Sequence, residues 1–283
     1  IFILFFLFGN YKLNISKSDN ILINEEFNLK VLASKIDINR FYNIENEKEL
    51  VAQLIDLGNK SDNNLPTIFI WPEGVLTASF LKDIKKYKDL FKSNFNKDDL
   101  IILGINDIQN DKETKIFNSL VVLDKELNII SVYHKNKLVP FGEFLPFENI
   151  LSKLGLKKIT NHYQSFSRGI ERNDIKIKNL KILPLICYEI IYSGELSNHN
   201  NYDLIINISE DGWFGKSIGP RQHFVHSIFR AIEEGKNIIR SSNNGITAFI
   251  NFKGEIIKSS ETTESSVIKI SYLKKPIKNT FFS

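Results

Sequence analysis

The sequence predicts an α/β fold, and three observations carry that prediction. Apolar runs of strand length alternate with segments whose apolar residues recur at helical spacing, the pattern of layered sheets and helices. Glu73, Lys135 and Cys187 each stand at or just past the end of an expected strand, where ligand sites of α/β sheets lie. With 283 residues, 42% of them apolar and 25% charged, the composition matches a globular chain, and no repeat or low-complexity linker divides it. One large domain is therefore expected.

The elements follow in order. Residues 1–8 are all apolar, too few for a bilayer-spanning helix of about 20 residues. No basic segment precedes them, so they do not read as a signal peptide. Tyr11 and Lys12 follow, an aromatic and a cation suited to a membrane interface. Residues 1–12 thus read either as the tail of a membrane helix or as a buried first strand. There is no methionine, even at position 1, which reads as a piece of something longer. Residues 13–27 would connect this segment to the body of the chain. Residues 273–283 run basic and then aromatic.

Within the domain, residues 28–33 read as the first strand. Leu50, Val51, Leu54, Ile55 and Leu57 mark a helix that Gly58 would end. A strand over 67–71 runs into Pro72-Glu73-Gly74, and a helix is expected over 76–93. Strands follow at 100–104, 119–123 and 129–133, the last running into a loop at Lys135. An apolar strand over 180–187 ends on Cys187, and another covers 202–208. Pro220 opens a helix that Gly235 closes, expected to bury Phe224, Ile228, Phe229 and Ile232. Asn243-Asn244-Gly245 turns a hairpin between 237–241 and 246–251, and Phe252-Lys253-Gly254 precedes a strand over 255–258.

The charge excludes little. Lys+Arg number 37 against 33 Asp+Glu, a net +4, and the cations are scattered. No basic, aromatic-interleaved stripe points to nucleic acid. Lys82, Lys85, Lys86 and Lys88, mixed with Asp83 and Asp89, read as a solvated helix face. A single cysteine excludes an internal disulfide and a multi-Cys zinc site. His223 and His226 lie three apart with no third ligand nearby in sequence, so a structural role is expected and no metal.

The three polar residues suffice for acyl transfer. A thiol needs its proton removed, and a carboxylate can take it while a nearby cation favours the thiolate. An ammonium beside the attacked carbonyl stabilises the oxyanion that develops there. Read singly, a cysteine after an apolar strand is ordinarily a small core residue, and a loop Lys or Glu is ordinarily solvated.

Longer stretches change that reading. Trp71-Pro72-Glu73-Gly74, the run from Lys135 to Phe144 and Ile186-Cys187-Tyr188-Glu189 resemble the signatures of the nitrilase (carbon–nitrogen hydrolase) superfamily. Leu138-Val139-Pro140-Phe141-Gly142-Glu143-Phe144 resembles one branch within it, the apolipoprotein N-acyltransferases. Asp211-Gly212-Trp213-Phe214-Gly215, Ile218 to His223 and Ala231 to Thr247 agree with that branch. The matches span roughly residues 65–252.

The resemblance implies a nitrilase-type αββα sandwich in a single catalytic domain over 28–272, with membrane helices before and after it, so that residues 1–12 would be the tail of one such helix and 273–283 would lead toward another. It implies Glu73 as general base, Lys135 as oxyanion stabiliser and Cys187 as nucleophile. Glu143 would orient the lysine, and Asn118, Tyr188 and Glu189 fall at supporting positions. Lys135 is preferred to Lys137 because it lies three residues before Leu138. Phe141, Phe144, Leu145, Trp213 and Phe214 become candidates for an exposed, lipid-contacting lid. The implied reaction moves an acyl chain from a phospholipid through a Cys187 thioester to the α-amino group of a diacylglyceryl apolipoprotein. It needs no cofactor or metal. It would run as a monomer on the periplasmic face of a bacterial inner membrane, where a lone thiol suits a nucleophile. The chain departs from the pattern in lacking Gln-Pro-Asn after the first strand and in carrying Glu210, expected to alter the wall of the acyl pocket. The competing readings are a soluble nitrilase-like amidase that releases its thioester to water, and a non-catalytic remnant that binds lipid or lipoprotein.

Overall fold

The computed structural model describes residues 1–15, 20–22, 27–41, 47–59, 65–110, 113–147, 165–196, 201–260 and 264–274. Most of the connecting segment expected over 13–27, and residues 275–283 of the expected tail, lie outside them.

Residues 1–12 are helical rather than a buried strand. Helix α1, Phe2–Ile15, leaves Ile1 to Phe8 exposed. No described helix is long and apolar enough to cross a membrane. Strand β1, Asn20–Leu22, pairs antiparallel with the last strand, β15, Tyr272–Lys274.

Two larger sheets form the body. The first is ordered β14-β2-β3-β5-β6-β7, with β4 paired to β5. Its strands are β2, Asn28–Ala33; β3, Thr67–Ile70; β4, Leu76–Phe80; β5, Leu100–Asn110; β6, Thr114–Asp124; β7, Ile129–His134; and β14, Ser266–Ile270. The second is ordered β13-β12-β11-β10-β9-β8. Its strands are β8, Ile175–Ile177; β9, Leu180–Ile186; β10, Leu204–Glu210; β11, Asn237–Asn243; β12, Thr247–Ile250; and β13, Ile256–Ser260. Each sheet has a parallel centre, β2-β3-β5 and β9-β10-β11, flanked by antiparallel strands.

Side-chain alternation explains the layering. Ile68 and Ile70 of β3 face Ile182, Leu204, Ile206 and Ile208 of the other sheet in one core. Phe69, between them, points outward against helix α2, Glu47–Asn59, and helix α3, Lys88–Asn94. Ile205 points outward on the second sheet, toward Phe224 and Ala231 of helix α4, Gly219–Glu234. Strands buried on both faces must be nearly continuous apolar runs, which is why β3, β9 and β10 are plain in the sequence. The result is a four-layer α/β/β/α sandwich, the expected fold. The two sheets meet at their ends, where Ser34 bridges Asn243 and the Ser241 hydroxyl donates to the Leu32 carbonyl at 2.7 Å.

Several boundaries differ from expectation. Residues 76–93 are not one helix: β4 is followed by a 3₁₀ stretch, Leu81–Tyr87, and then α3. Leu81, Ile84 and Tyr87 are buried three apart, the 3₁₀ period, which an α-helical reading cannot distinguish over one turn. The lysines of this stretch do lie on its outer side. Strands β5 and β6 extend well beyond the expected 100–104 and 119–123, because their Asn- and Asp-bearing ends weaken the strand signal. Helix α2 continues past Gly58 to Asn59. Helix α4 buries Phe224, but Phe229 and Ile232 are 52% and 45% exposed. Its inner face carries His223, Ser227, Arg230 and Glu234 instead. Buried partners for His223, Arg230 and Glu234, not apolar weight, decide its rotation.

Candidate active site

The site lies where the ends of β3, β6, β7, β9 and β10 converge. β3 delivers Trp71-Pro72-Glu73-Gly74. The Glu73 Oε1 accepts from Asn118 Nδ2 at 2.8 Å, and its Oε2 accepts from the Glu210 backbone N–H at 2.9 Å. Gly104 on β5 makes room for this turn, because a Cβ there would lie 2.8 Å from the Glu73 Cα.

Lys135 follows β7. Its backbone N–H donates to the Asn118 carbonyl at 2.8 Å, and its carbonyl accepts from the Gly169 N–H at 2.9 Å. The side chain is 1% exposed, with Nζ 2.9 Å from Glu143 Oε1 and 3.6 Å from Glu73 Oε1. Asn118 also donates to Glu143 Oε1 at 2.9 Å, so one amide ties both carboxylates. The other Glu143 oxygen accepts from the Val139 N–H at 2.8 Å, closing the Val139–Glu143 loop on itself. Lys137 is elsewhere, paired with Glu195 at 2.7 Å near the surface.

Cys187 follows β9 directly and opens a 3₁₀ turn, Cys187–Ile191, with φ of 49°, a left-handed conformation uncommon for a residue with a side chain. Glu189, beside it in sequence, points away from the cavity and is fully buried. It accepts from Tyr133 OH at 2.7 Å, from the N–H groups of Asn136 and Lys137 at 2.9 and 3.0 Å, from Arg172 at 3.1 Å and from the Ile186 N–H at 2.9 Å. It thereby fastens the Lys135 loop to the Cys187 turn.

The electrostatics are coupled. Burial raises the Glu73 pKa, Lys135 works against the rise and Glu143 adds to it, leaving it above the ordinary carboxylate value. Burial raises the Cys187 thiol, as does the Glu73 carboxylate, with Lys135 opposing. Burial alone would discharge Lys135, but Glu143, Glu73 and Cys187 outweigh it and hold the ammonium firmly protonated. A fixed cation beside a protonated thiol and a carboxylate with raised proton affinity suits proton transfer from sulfur to Glu73.

These groups line a cavity of about 830 Å³ that also takes in Asn118, Glu143, Tyr188, Trp213 and Phe214. Trp213 and Phe214 are 44% and 42% exposed at its rim. Phe141 is exposed but does not line the cavity; its neighbours Val139, Pro140 and Gly142 do. Phe144 is half-buried and also off the cavity wall, and Leu145 is buried, so neither is an exposed lid residue. Their loop folds back through the Phe141 N–H to Phe144 carbonyl bond of 2.8 Å, which turns these side chains away. Glu210 does line the cavity, its carboxylate paired with Arg40 and accepting from Asn243 Nδ2 and the Gly212 N–H at 2.7 Å each.

Sequence reasoning missed Arg40, Phe41, Gly104 and Asn207. Arg40 reaches Glu210 and the Gly74 carbonyl, and Phe41 packs on Trp213 with ring centroids 4.9 Å apart. Buried Glu210 did require a cation, which was the one available signal for Arg40. Among the described residues, no group of three or more His, Cys, Asp or Glu could hold a metal ion.

A four-layer sandwich with Glu, Lys and Cys gathered at the ends of its strands is the arrangement of one enzyme class. The chain belongs to the carbon–nitrogen hydrolase family, whose model matches residues 68–271. Relatives named apolipoprotein N-acyltransferase include one from Rickettsia prowazekii, 38% identical over 80% of this chain, and one from Rhizobium rhizogenes, 32% identical over 77%. This chain covers 46% and 43% of their respective lengths, so it spans less than half of either. Among solved structures it resembles an amidase from Nesterenkonia sp. AN1 bearing an acetamide adduct on its active-site cysteine, with TM-score 0.61 and 9% identity over 90% of this chain and 92% of that one. It also resembles Saccharomyces cerevisiae Nit3, with TM-score 0.59 and 17% identity over 88% and 90%. At such identities these structures speak to the fold.

Proposed function

We propose that this chain is the catalytic part of an enzyme that N-acylates apolipoproteins, the activity in the name its relatives bear, and that the acyl donor is a phospholipid. The observation that carries the reading is the Glu73–Lys135–Cys187 cluster in a cavity rimmed by exposed Trp213 and Phe214. Glu73 takes the thiol proton, and the Cys187 sulfur attacks the acyl ester carbonyl. The oxyanion forms beside the Lys135 ammonium. The carbon–oxygen bond breaks, the lysophospholipid alkoxide takes the proton back from Glu73, and a thioester remains. The neutral α-amino group of a diacylglyceryl-cysteine then attacks the thioester. Its proton passes to Glu73, the thiolate leaves, and the thiol is restored when Glu73 returns that proton.

In this reading Glu143 and Asn118 orient Lys135 and Glu73, and Tyr188 forms part of the cavity wall. Glu189 couples the two catalytic loops. Phe141, whose exposure is 46%, joins Trp213, Phe214 and α1 as bilayer contacts. The enzyme works as a monomer, its catalytic part on the periplasmic side of a bacterial inner membrane. No cofactor takes part.

Incubation with a phospholipid carrying a labelled acyl chain, followed by intact mass, tests this. The expected result is an acyl increment on Cys187 that hydroxylamine removes and that a diacylglyceryl peptide accepts. Turnover of a small amide without any acyl increment would instead establish the soluble amidase reading. A Cys187→Ala protein that still supported N-acylation in a complementation assay would overturn the nucleophile assignment.

A further inference from the structure

We infer that His223, held by Asp211 and Arg240, is a positioning residue that sets the main-chain geometry of the Cys187 turn. The inference rests on the reading of Cys187 as the nucleophile.

Cys187 is one of six non-glycine residues with positive φ among the described residues, and it directly follows a strand at the cavity. A backbone held in a sparsely populated region persists only where its surroundings over-determine it. The Cys187 carbonyl is gripped from two sides by buried side chains. His223 Nε2 stands 3.2 Å from this oxygen, and Asn207 Nδ2 donates to it at 3.5 Å.

Both side chains are themselves fixed by one guanidinium. Arg240, fully buried, donates through Nη1 to Asn207 Oδ1 and through Nη2 to both Asp211 oxygens, at 2.9 and 2.7 Å. Asp211 Oδ1 lies 2.9 Å from His223 Nδ1, and Ser209 and Ser242 donate to the same carboxylate. His223 therefore sits between an anion on one ring nitrogen and a carbonyl on the other.

A hydrogen on Nε2 is required for the Cys187 bond, since a lone pair there would face the carbonyl oxygen. Two states supply it. The imidazolium donates from both nitrogens. In the neutral Nε2–H tautomer the Nδ1 lone pair faces Asp211 Oδ1 at 2.9 Å, and Arg240 Nη2, 3.2 Å from Nδ1 and bonded to the same carboxylate, offsets that contact. Arg240 thus keeps the grip on Cys187 when His223 is uncharged. The ring also contacts Phe214 at 5.6 Å between centroids, so the same residue joins the cavity rim to the nucleophile turn.

The test needs no substrate. Cys187 is the only cysteine, so its alkylation by iodoacetamide can be followed by intact mass across a pH series. In the purified full chain, His223→Leu is expected to slow alkylation by about tenfold at fixed pH and to move the pH profile upward, as the sulfur leaves the field of Lys135. His223→Gln keeps a donor for the carbonyl and is expected to stay within about threefold of the unaltered protein. Circular dichroism and a cooperative melt confirm that both variants are folded. Equal rates for His223→Leu and the unaltered protein overturn the inference, as do equal losses in the two variants. Histidine-nitrogen NMR of the unaltered protein adds a measurement free of folding effects: a hydrogen on Nε2 is expected, and a bare Nε2 overturns it. If phospholipid leaves no acyl group on Cys187 while these results hold, the proposed function fails and the positioning role of His223 stands.

Discussion

Replacing Glu143 by Gln keeps the shape of the side chain and removes its charge. Three donors converge on that carboxylate: Lys135 Nζ and Asn118 Nδ2 on Oε1, each at 2.9 Å, and the Val139 N–H on Oε2 at 2.8 Å. An amide offers one oxygen and one NH₂, so in either orientation a donor meets a donor. The cheaper orientation leaves the oxygen on Lys135 and Asn118 and opposes NH₂ to Val139. An unsatisfied buried donor costs about 1–3 kcal/mol. Lys135 also exchanges a charged partner for a neutral one, a further loss of about 1 kcal/mol. Of this sum of about 2–4 kcal/mol, the share that displaces Lys135 and the Val139–Glu143 loop raises the barrier. The expected fall in kcat/KM is about a hundredfold, equivalent to about 2.7 kcal/mol. The assay is single-turnover acylation of Cys187 by labelled phospholipid, beside a thermal melt. A second readout separates electrostatics from packing. Glu143 raises the Glu73 pKa, so Glu143→Gln shifts the acid limb of the pH–rate profile to lower pH. Activity within about threefold of the unaltered enzyme, with the acid limb unmoved, would refute the reasoning.

The remaining predictions concern the same cluster and its rim. Because burial holds the Glu73 pKa above its ordinary 4.5, the acid limb of kcat/KM lies above that value, and Lys135→Met, measured in a thiol-alkylation profile, moves it higher still. By the same shift the folded state binds the Glu73 proton more tightly than the unfolded chain. Its contribution to stability is therefore full below 4.5 and lost as pH rises through the raised value, which acid-range denaturant titrations of Glu73→Gln check. A Phe41–Trp213 double-mutant cycle gives a coupling of about 0.5–1.5 kcal/mol in KM for the acyl donor, and strict additivity would remove the aromatic contact from substrate binding. Gly104→Ala places a Cβ 2.8 Å from the Glu73 Cα and 3.0 Å from the Gly74 nitrogen. It is expected to cost about 1–3 kcal/mol in urea denaturation and to reduce acylation out of proportion, whereas a stable, fully active variant would show that the turn is free to shift.

What could be read from the chain and what could not divide along physical lines. β3, β9 and the first half of β10 are legible because a strand covered on both faces is a nearly continuous apolar run, while buried Asn207, Ser209 and Glu210 give the far half of β10 to the site. β4 is hidden because Leu76-Thr77-Ala78-Ser79-Phe80 carries no clear period, and its pairing with the distant β5 decides its state. Helix α4 has apolar residues on two faces, and the hydrogen bonds of His223 and Arg230 select which one turns inward.

The sequence by itself determined the layer class, the strand cores and the chemical groups available at strand ends, because these depend on local periodicity and composition. It could not decide which carboxylate meets which cation. Glu189 adjoins Cys187 in the chain yet turns from the cavity to bind Tyr133, Arg172 and the Lys135 loop. Glu143 lies eight residues from Lys135 and reaches it, and Arg40 crosses to Glu210 from the other sheet's side of the molecule. Those pairings follow from the strand order of two sheets and the way their ends abut. They depend on contacts from 8 to 170 residues apart, and on the rule that a buried charge settles only where packing offers it a partner.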